Sequence, residues 1–368
     1  MSLDTDSNPA DVSIRVLLRD PSYLAFWFVG GFTGVIRWFQ LLALGVYTFE
    51  TTNSPLLVSV VPLLWMLPLA LCGPVIGAVA DRLNRKLMLA ASILAITVVS
   101  IGMATLAWAG ELAFIHVAIA SFLSGIFWAT DMPVRRRLLG DLSGGALSAA
   151  MSLDAATSNA TRMLGPLLGG VILQYVGVFG VFLFSAVVYS ICLVLVILAR
   201  VPERELPGGS FTFISDLRAG VRYVMGDANL RRILLITIAF NVWGFPFTSM
   251  IPVLGRDHLG LDPFMVGVLS SLEGLGAFVG ALLVATVARP ANYFQVYQWG
   301  TTIYISMIFY LSILSYVAGG PHHSFFIVSI CLTVTGVAGA CFSAMQSTLT
   351  YLGASPEYRS RVLGVLAL

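Results

Sequence analysis

The sequence predicts an all-α polytopic membrane protein of two pseudo-symmetric helix bundles, with ten complete spans and the start of an eleventh. Three observations carry this expectation. Apolar residues make up 58% of the chain and charged residues only 10%, whereas soluble domains carry about 25% charged residues. Apolar runs recur along the whole length, each long enough (~20 residues) to cross ~30 Å of hydrocarbon as a helix. Period-2 barrel strands are absent, which leaves the helix as the spanning element.

The spans lie near 23–48, 55–80, 87–107, 112–132, 147–173, 177–199, 230–254, 264–288, 294–317 and 324–350. Segment 1–22, with Asp4, Asp6, Asp11 and Asp20, is polar and acidic. It is no signal peptide, and the apolar run after it lacks a cleavage site and exceeds an h-region, so it stays as a helix. With the N-terminus cytoplasmic, seventeen of the twenty Lys and Arg residues fall on the inner side. Only Arg256 lies outside, while Arg37 and Arg162 fall within spans. That asymmetry sets the orientation.

Segment 200–229 separates an N-terminal six-helix bundle (23–199) from a C-terminal bundle (230–368). Pro202, Pro207, Gly208 and Gly209 break it open, and Ile214, Leu217, Val221 and Val224 then recur at helical spacing. This reads as an amphipathic cytoplasmic helix on the inner leaflet, with a docked soluble helix as the alternative. A weak repeat relates the halves: Ser54-Pro55 and Asp262-Pro263 each read as N-cap plus first-turn proline. After Arg361 only seven residues, Val362 to Leu368, remain. They read as the beginning of an eleventh span, hence as a C-terminally incomplete chain, with a ten-span protein bearing a short anchor as the alternative.

One loop is the most specific feature: Gly77-Ala-Val-Ala-Asp81-Arg82-Leu-Asn-Arg85-Lys86, between two apolar segments. It resembles the charged loop of the major facilitator superfamily, G-x-x-x-D-R-x-G-R-[RK], with Asn84 where the family has glycine. Phe49 to Pro55, Ser152 to Gly170, Asp216 to Val224 and Glu357 to Gly364 resemble the superfamily's multidrug and secretion-effector exporters, among them enterobactin and macrolide efflux proteins. The antiporter motif of the fifth helix is matched at Gly165, Pro166, Gly169 and Gly170, but Ser152 and Thr161 stand where two glycines belong. The resemblance implies a major facilitator fold and a bacterial inner-membrane transporter working by alternating access. It also implies an inner latch: Asp81 facing the N-terminus of the eleventh helix, where a helix dipole favours an anion, beside Arg82, with Asp131 pairing with Arg85. Neutralisation of the Arg135–Arg137 cluster is the other reading of Asp131.

No P-loop, no G-x-S-x-G and no H-E-x-x-H occurs, so nothing here predicts an enzyme, a metal or a cofactor. The cysteines Cys72, Cys192, Cys331 and Cys341 lie in apolar runs and read as core hydrophobes. A net charge of +2 gives no reason to expect nucleic acid. The chemistry lies instead in the intramembrane charges. At ~1.5 Å per residue, Arg37 and Arg162 sit roughly 21 and 22 Å from the inner face and Glu273 roughly 14 Å from the outer one. Charges at such depth need partners, and they mark ion and substrate pathways. Glu273 is the expected titrating group, with Arg162 or Arg37 as partner, and Asp154 lies shallower on the fifth helix. A static ion pair fixing helix packing is the competing reading. Asn241, Trp243, Phe245 and Phe247 either line a cavity or pack. The expected partners are a small amphipathic substrate, protons and the bilayer, and the expected state is a monomer. The expectation is proton-coupled efflux, with uptake, lysolipid flipping, or a non-transporting sensor or inactive fragment as alternatives.

Overall fold

The computed structural model describes residues 16–80, 84–201, 213–317 and 321–355, with Tyr358 and Val362. Among the described residues every regular element is helical: α1 (Pro21–Thr52), α2 (Pro55–Ala80), α3 (Arg85–Ala109), α4 (Phe114–Leu142), α5 (Leu147–Leu198), α6 (Phe213–Gly226), α7 (Ala228–Ala239), α8 (Pro263–Val287), α9 (Tyr293–Val317) and α10 (Pro321–Gly353). Seven described helices are long and apolar enough to cross a membrane, with α5 counted once. Gly177 divides α5 with φ 73°, ψ −170°, a backbone conformation that side chains with a Cβ rarely adopt.

Local chemistry starts these helices where the sequence places them. Ser54 Oγ accepts from Leu57 N at 3.4 Å, Asp262 Oδ1 from Met265 N at 2.8 Å, and a proline follows each cap. Asn84, the departure from the family loop, caps α3: its Oδ1 accepts from Leu87 N at 3.2 Å. The side chain satisfies a helix-end donor that a glycine would leave to water. Asn84→Ala is expected to lower stability by about 1 kcal/mol, read as a fall in thermal midpoint of the purified protein. Gly110, left-handed at φ 74°, ends the same helix.

The span expected at 230–254 is not a smooth helix. Beyond α7 the chain runs through a π turn (Phe240–Gly244), a 3-10 stretch (Phe245–Met250), one α turn (Ile251–Val253) and a second π turn (Leu254–His258). Pro246 and Pro252 lack the backbone N–H that a continuous α-helix needs, so the ladder must change register around them. Helix α6 is present, and the end of it docks on protein. The ring of Tyr223 stacks on Tyr358 at 4.5 Å, its hydroxyl accepts from Ser355 N at 3.1 Å, and Val224 is buried with Leu230, Ala354 and Val362. Val221 and Met225 remain exposed.

The chain forms two compact units, whose boundaries cut through helices rather than loops. Of the described residues, the first takes those up to Arg37, Leu64–Thr161, and those from Val178 to the residue Val201. The second takes Trp38–Leu63, Arg162–Gly177 and the described residues from Phe213 onward. In the second unit the later parts of α1 and of the first arm of α5 meet α8 and the irregular α7 extension at glycines. A Cβ on Gly170 would lie 2.8 Å from the Pro263 carbonyl oxygen, and one on Gly274 would lie 2.5 Å from that of Arg162. Helices α8 and α10 are in backbone contact: a Cβ on Gly276 would collide with the carbonyl oxygen of Thr333, and one on Gly336 with that of Glu273. Small residues at such seams let helices approach in the absence of a hydrophobic drive between them. Large apolar side chains are exposed on many of the helices, Leu56, Leu87, Leu198 and Phe309 among them. A surface that apolar is suited to lipid rather than water.

Candidate functional site

The second unit holds a charged pair that joins two of its helices. Arg162, on the first arm of α5, meets Glu273, on α8, as a bidentate pair: Nη2 to Oε1 at 2.5 Å and Nε to Oε2 at 3.1 Å. The Glu273 side chain is 6% exposed and that of Arg162 24%. The planar guanidinium matches both carboxylate oxygens, and its carbon lies 5.2 Å from the centre of the Trp38 ring, within cation–π reach. Gly274, next to Glu273, is what lets α8 lie against the Arg162 backbone. A cavity of about 40 Å³ adjoins the pair, bounded by Trp38, Pro166, Ser249, Pro252 and Ser270 among others. That is room for roughly two or three water molecules.

Of the two partners expected for Glu273, Arg162 is the one bonded to it. Arg37 lies in the first unit, its guanidinium carbon 5.2 Å from the centre of the Trp128 ring. The helix-five motif residues lie beside the pair. Pro166 bounds the cavity, a Cβ added to Gly169 would lie 2.9 Å from the Phe39 carbonyl oxygen, and one added to Gly170 would meet α8. Thr161, where the family has glycine, packs in the first unit against Gly34, whose Cβ would lie 2.9 Å from the threonine Oγ1. The glycine has changed helix, and the close approach is kept.

The first unit holds a second charged cluster. Arg135 Nη1 donates to Asp154 Oδ1 at 2.7 Å, Arg136 Nε to Asp154 Oδ2 at 2.8 Å, and Arg135 Nε reaches Asp131 Oδ2 at 3.4 Å. Asp131, Arg135 and Asp154 are all buried. Asp154 thus belongs to a cross-link between α4 and α5. The expected Asp131–Arg85 pair is replaced by two others: Arg85 Nη1 meets Asp141 Oδ2 at 2.6 Å, and Asp131 turns to Arg135, one helical turn along α4. The second arrangement is shorter-range, since i and i+4 residues share a helix face. Asp81 and Arg82 lie outside the described residues. Lys86 donates from Nζ to the carbonyls of Ile197 and Ala199 at 2.8 and 2.7 Å, closing the C-terminus of α5.

Four ion pairs were not foreseen. Arg135 and Arg136 bridge to Asp154, Arg85 takes Asp141, and Arg256 pairs with Glu50 at 2.5 Å in the second unit. The i, i+4 spacing of Asp131 and Arg135 was a readable signal; the other pairings cross between helices. Among the aromatic residues of the seventh span, Trp243 is exposed and Phe247 packs on the core of Ile251, Leu254 and Leu269. The side chain of Phe245 is outside those described.

Helices with lipid-suited surfaces, close glycine seams and a buried ion pair beside a water-sized cavity define a multi-pass membrane transport protein. The chain belongs to the Major Facilitator Superfamily, whose profile matches residues 26–368. It is 22% identical over 329 residues to macrolide efflux protein A of Streptococcus pyogenes, covering 88% of this chain and 79% of that protein. It is 23% identical over 303 residues to the staphyloferrin A transporter of Staphylococcus aureus, covering 82% of this chain and 74% of that one. Among solved structures, a bacterial homologue of the human lysosomal transporter Spinster superposes with a TM-score of 0.71 at 16% identity, over 98% of this chain and 79% of its own. The chain is therefore a transporter of the bacterial inner membrane with efflux-type relatives.

Proposed function

We propose that this protein is a secondary active exporter that uses the proton gradient to drive small amphipathic molecules outward by alternating access. The observation that carries this reading is the buried Arg162–Glu273 pair beside a cavity sized for water. A carboxylate held by a guanidinium in a dry setting favours its charged form, while burial without that partner favours the neutral acid. A movement that separates α5 from α8 therefore lets Glu273 take up a proton, and re-pairing releases it. The efflux names among the relatives support the outward direction. The one-sided bases support a cytoplasmic N-terminus.

In this scheme ten spans form two bundles, 23–199 and 230–368, joined by the cytoplasmic linker 200–229, and the protein works as a monomer. Asp81, Arg82, Arg85 and Asp131 serve the inner side as a latch, with Arg85 acting through Asp141. Arg37 and Asp154 border the pathway, and Gly165, Pro166, Gly169 and Gly170 shape the α5 seam against α8.

Dye or macrolide accumulation in cells tests the reading. Cells making the protein should accumulate less dye than control cells, and a protonophore should remove the difference. Glu273→Gln should accumulate as much as controls at every external pH tested, acid or alkaline. Efflux by Glu273→Gln that is unchanged and still pH-dependent rules out its proton role.

A further inference from the structure

We propose that Asp131 is a second proton-binding group of this transporter, taking and releasing a proton at its buried Oδ1. The inference rests on the proton-coupled reading above and adds a site on different helices. Three carboxylates lie deep in the helices, and they are not equally paired. Glu273 has both oxygens on Arg162, and Asp154 has one on Arg135 and one on Arg136. Asp131, only 3% exposed, has a 3.4 Å contact from Arg135 at Oδ2, and its Oδ1 has no hydrogen-bond partner among the described residues. Such a contact is longer than a good N–H···O bond. The shorter bond of Arg135 goes to Asp154, so Arg135 is already committed. A buried carboxylate with one weak bond is the member of this set for which a proton is the nearest compensation.

The surroundings make its occupancy adjustable. From its own helix Asp131 is faced by Arg135, and from α5 by Asp154 and, on the later arm, by Tyr189 and Cys192. From α1 it lies in the field of Arg37, which rests over Trp128, three residues before Asp131. The hydroxyl of Tyr23, a buried residue on α1 that interacts electrostatically with Asp154, also has no hydrogen-bond partner among the described residues. The Asp131–Arg135–Asp154 cluster is thus complete around Asp154 and open around Asp131. The step is a bare protonation: Oδ1 gains a proton from water on one side and returns it to water on the other, with no other bond made or broken.

Infrared difference spectra of the purified full chain in lipid, recorded across a pH titration, read this directly. In the Glu273→Gln background, which removes the other proposed proton carrier, the chain should show a protonated-carboxyl C=O band that disappears as pH rises, and adding Asp131→Asn should remove it. Asp131→Glu should keep the band with a displaced midpoint, which serves if the asparagine variant does not fold. In that background, a band that survives Asp131→Asn, a Glu273→Gln chain without the band, or a midpoint unmoved by Asp131→Glu each overturn the proposal. A wild type that shows the Asp131 band yet moves no dye leaves the assignment standing and defeats the exporter reading instead.

Discussion

Replacing Arg162 with alanine will abolish transport and lower the stability of the protein by about 3–5 kcal/mol. Arg162 supplies both bonds to a Glu273 side chain that is 6% exposed. Removing it leaves a carboxylate beside Trp38 and Pro166, with no other base among the described residues lining the cavity. That penalty is the desolvation of an unpaired charge, which exceeds what the pair itself contributes. The double variant Arg162→Met, Glu273→Leu should therefore regain most of the lost stability, since a well-packed apolar pair is often as stable as an ion pair. It should regain no transport. Thermal unfolding of the single and double variants in lipid, alongside dye efflux, measures both effects in one cycle. Recovery of transport in the double variant would mean that the pair serves packing alone.

Gly276→Val should do comparable damage by a different route. A Cβ at 276 falls on the Thr333 carbonyl oxygen, closer than real Cβ atoms approach, and the obstacle is backbone rather than a movable side chain. Helices α8 and α10 would have to part. Glu273, three residues before Gly276, shares the seam, because a Cβ on Gly336 would strike its carbonyl oxygen. The expected cost is about 3 kcal/mol or more, at the upper end for overpacking, with loss of monodisperse protein. The matched control is Gly102→Val, at a glycine with nothing within 4 Å of an added Cβ. It should leave the thermal midpoint within about 0.5 kcal/mol equivalent of the wild type. Equal behaviour of the two variants would contradict the seam.

Helix starts were legible because N-cap chemistry is local. Ser54 and Asp262 announce themselves by residue type and by the proline that follows, and the structure places their oxygens on the expected N–H groups. That Glu273 and Arg162 would need a charged partner was legible from their place inside apolar runs. The choice between Arg162 and Arg37 as partner was not, because it depends on which helices touch. The same limit hid Arg135–Asp154 and Arg85–Asp141, whose partners lie 19 and 56 residues apart and meet only when helices pack. The broken extension of α7 was written in Pro246 and Pro252, but a hydropathy run reads through prolines as if they were any apolar residue. Thr161 shows the opposite case. Taken alone it looks like a lapse from the motif, whereas Gly34 on α1 restores the space.

In the proposed cycle the Arg162–Glu273 pair is where proton and substrate movement are joined. Proteoliposomes holding the purified protein and a pH-sensitive dye inside test this most directly. Addition of an amphipathic substrate on one side should drive a proton flux that depends on wild-type protein and disappears in Glu273→Gln, while substrate binding persists. Undiminished substrate-driven proton flux in Glu273→Gln would contradict it.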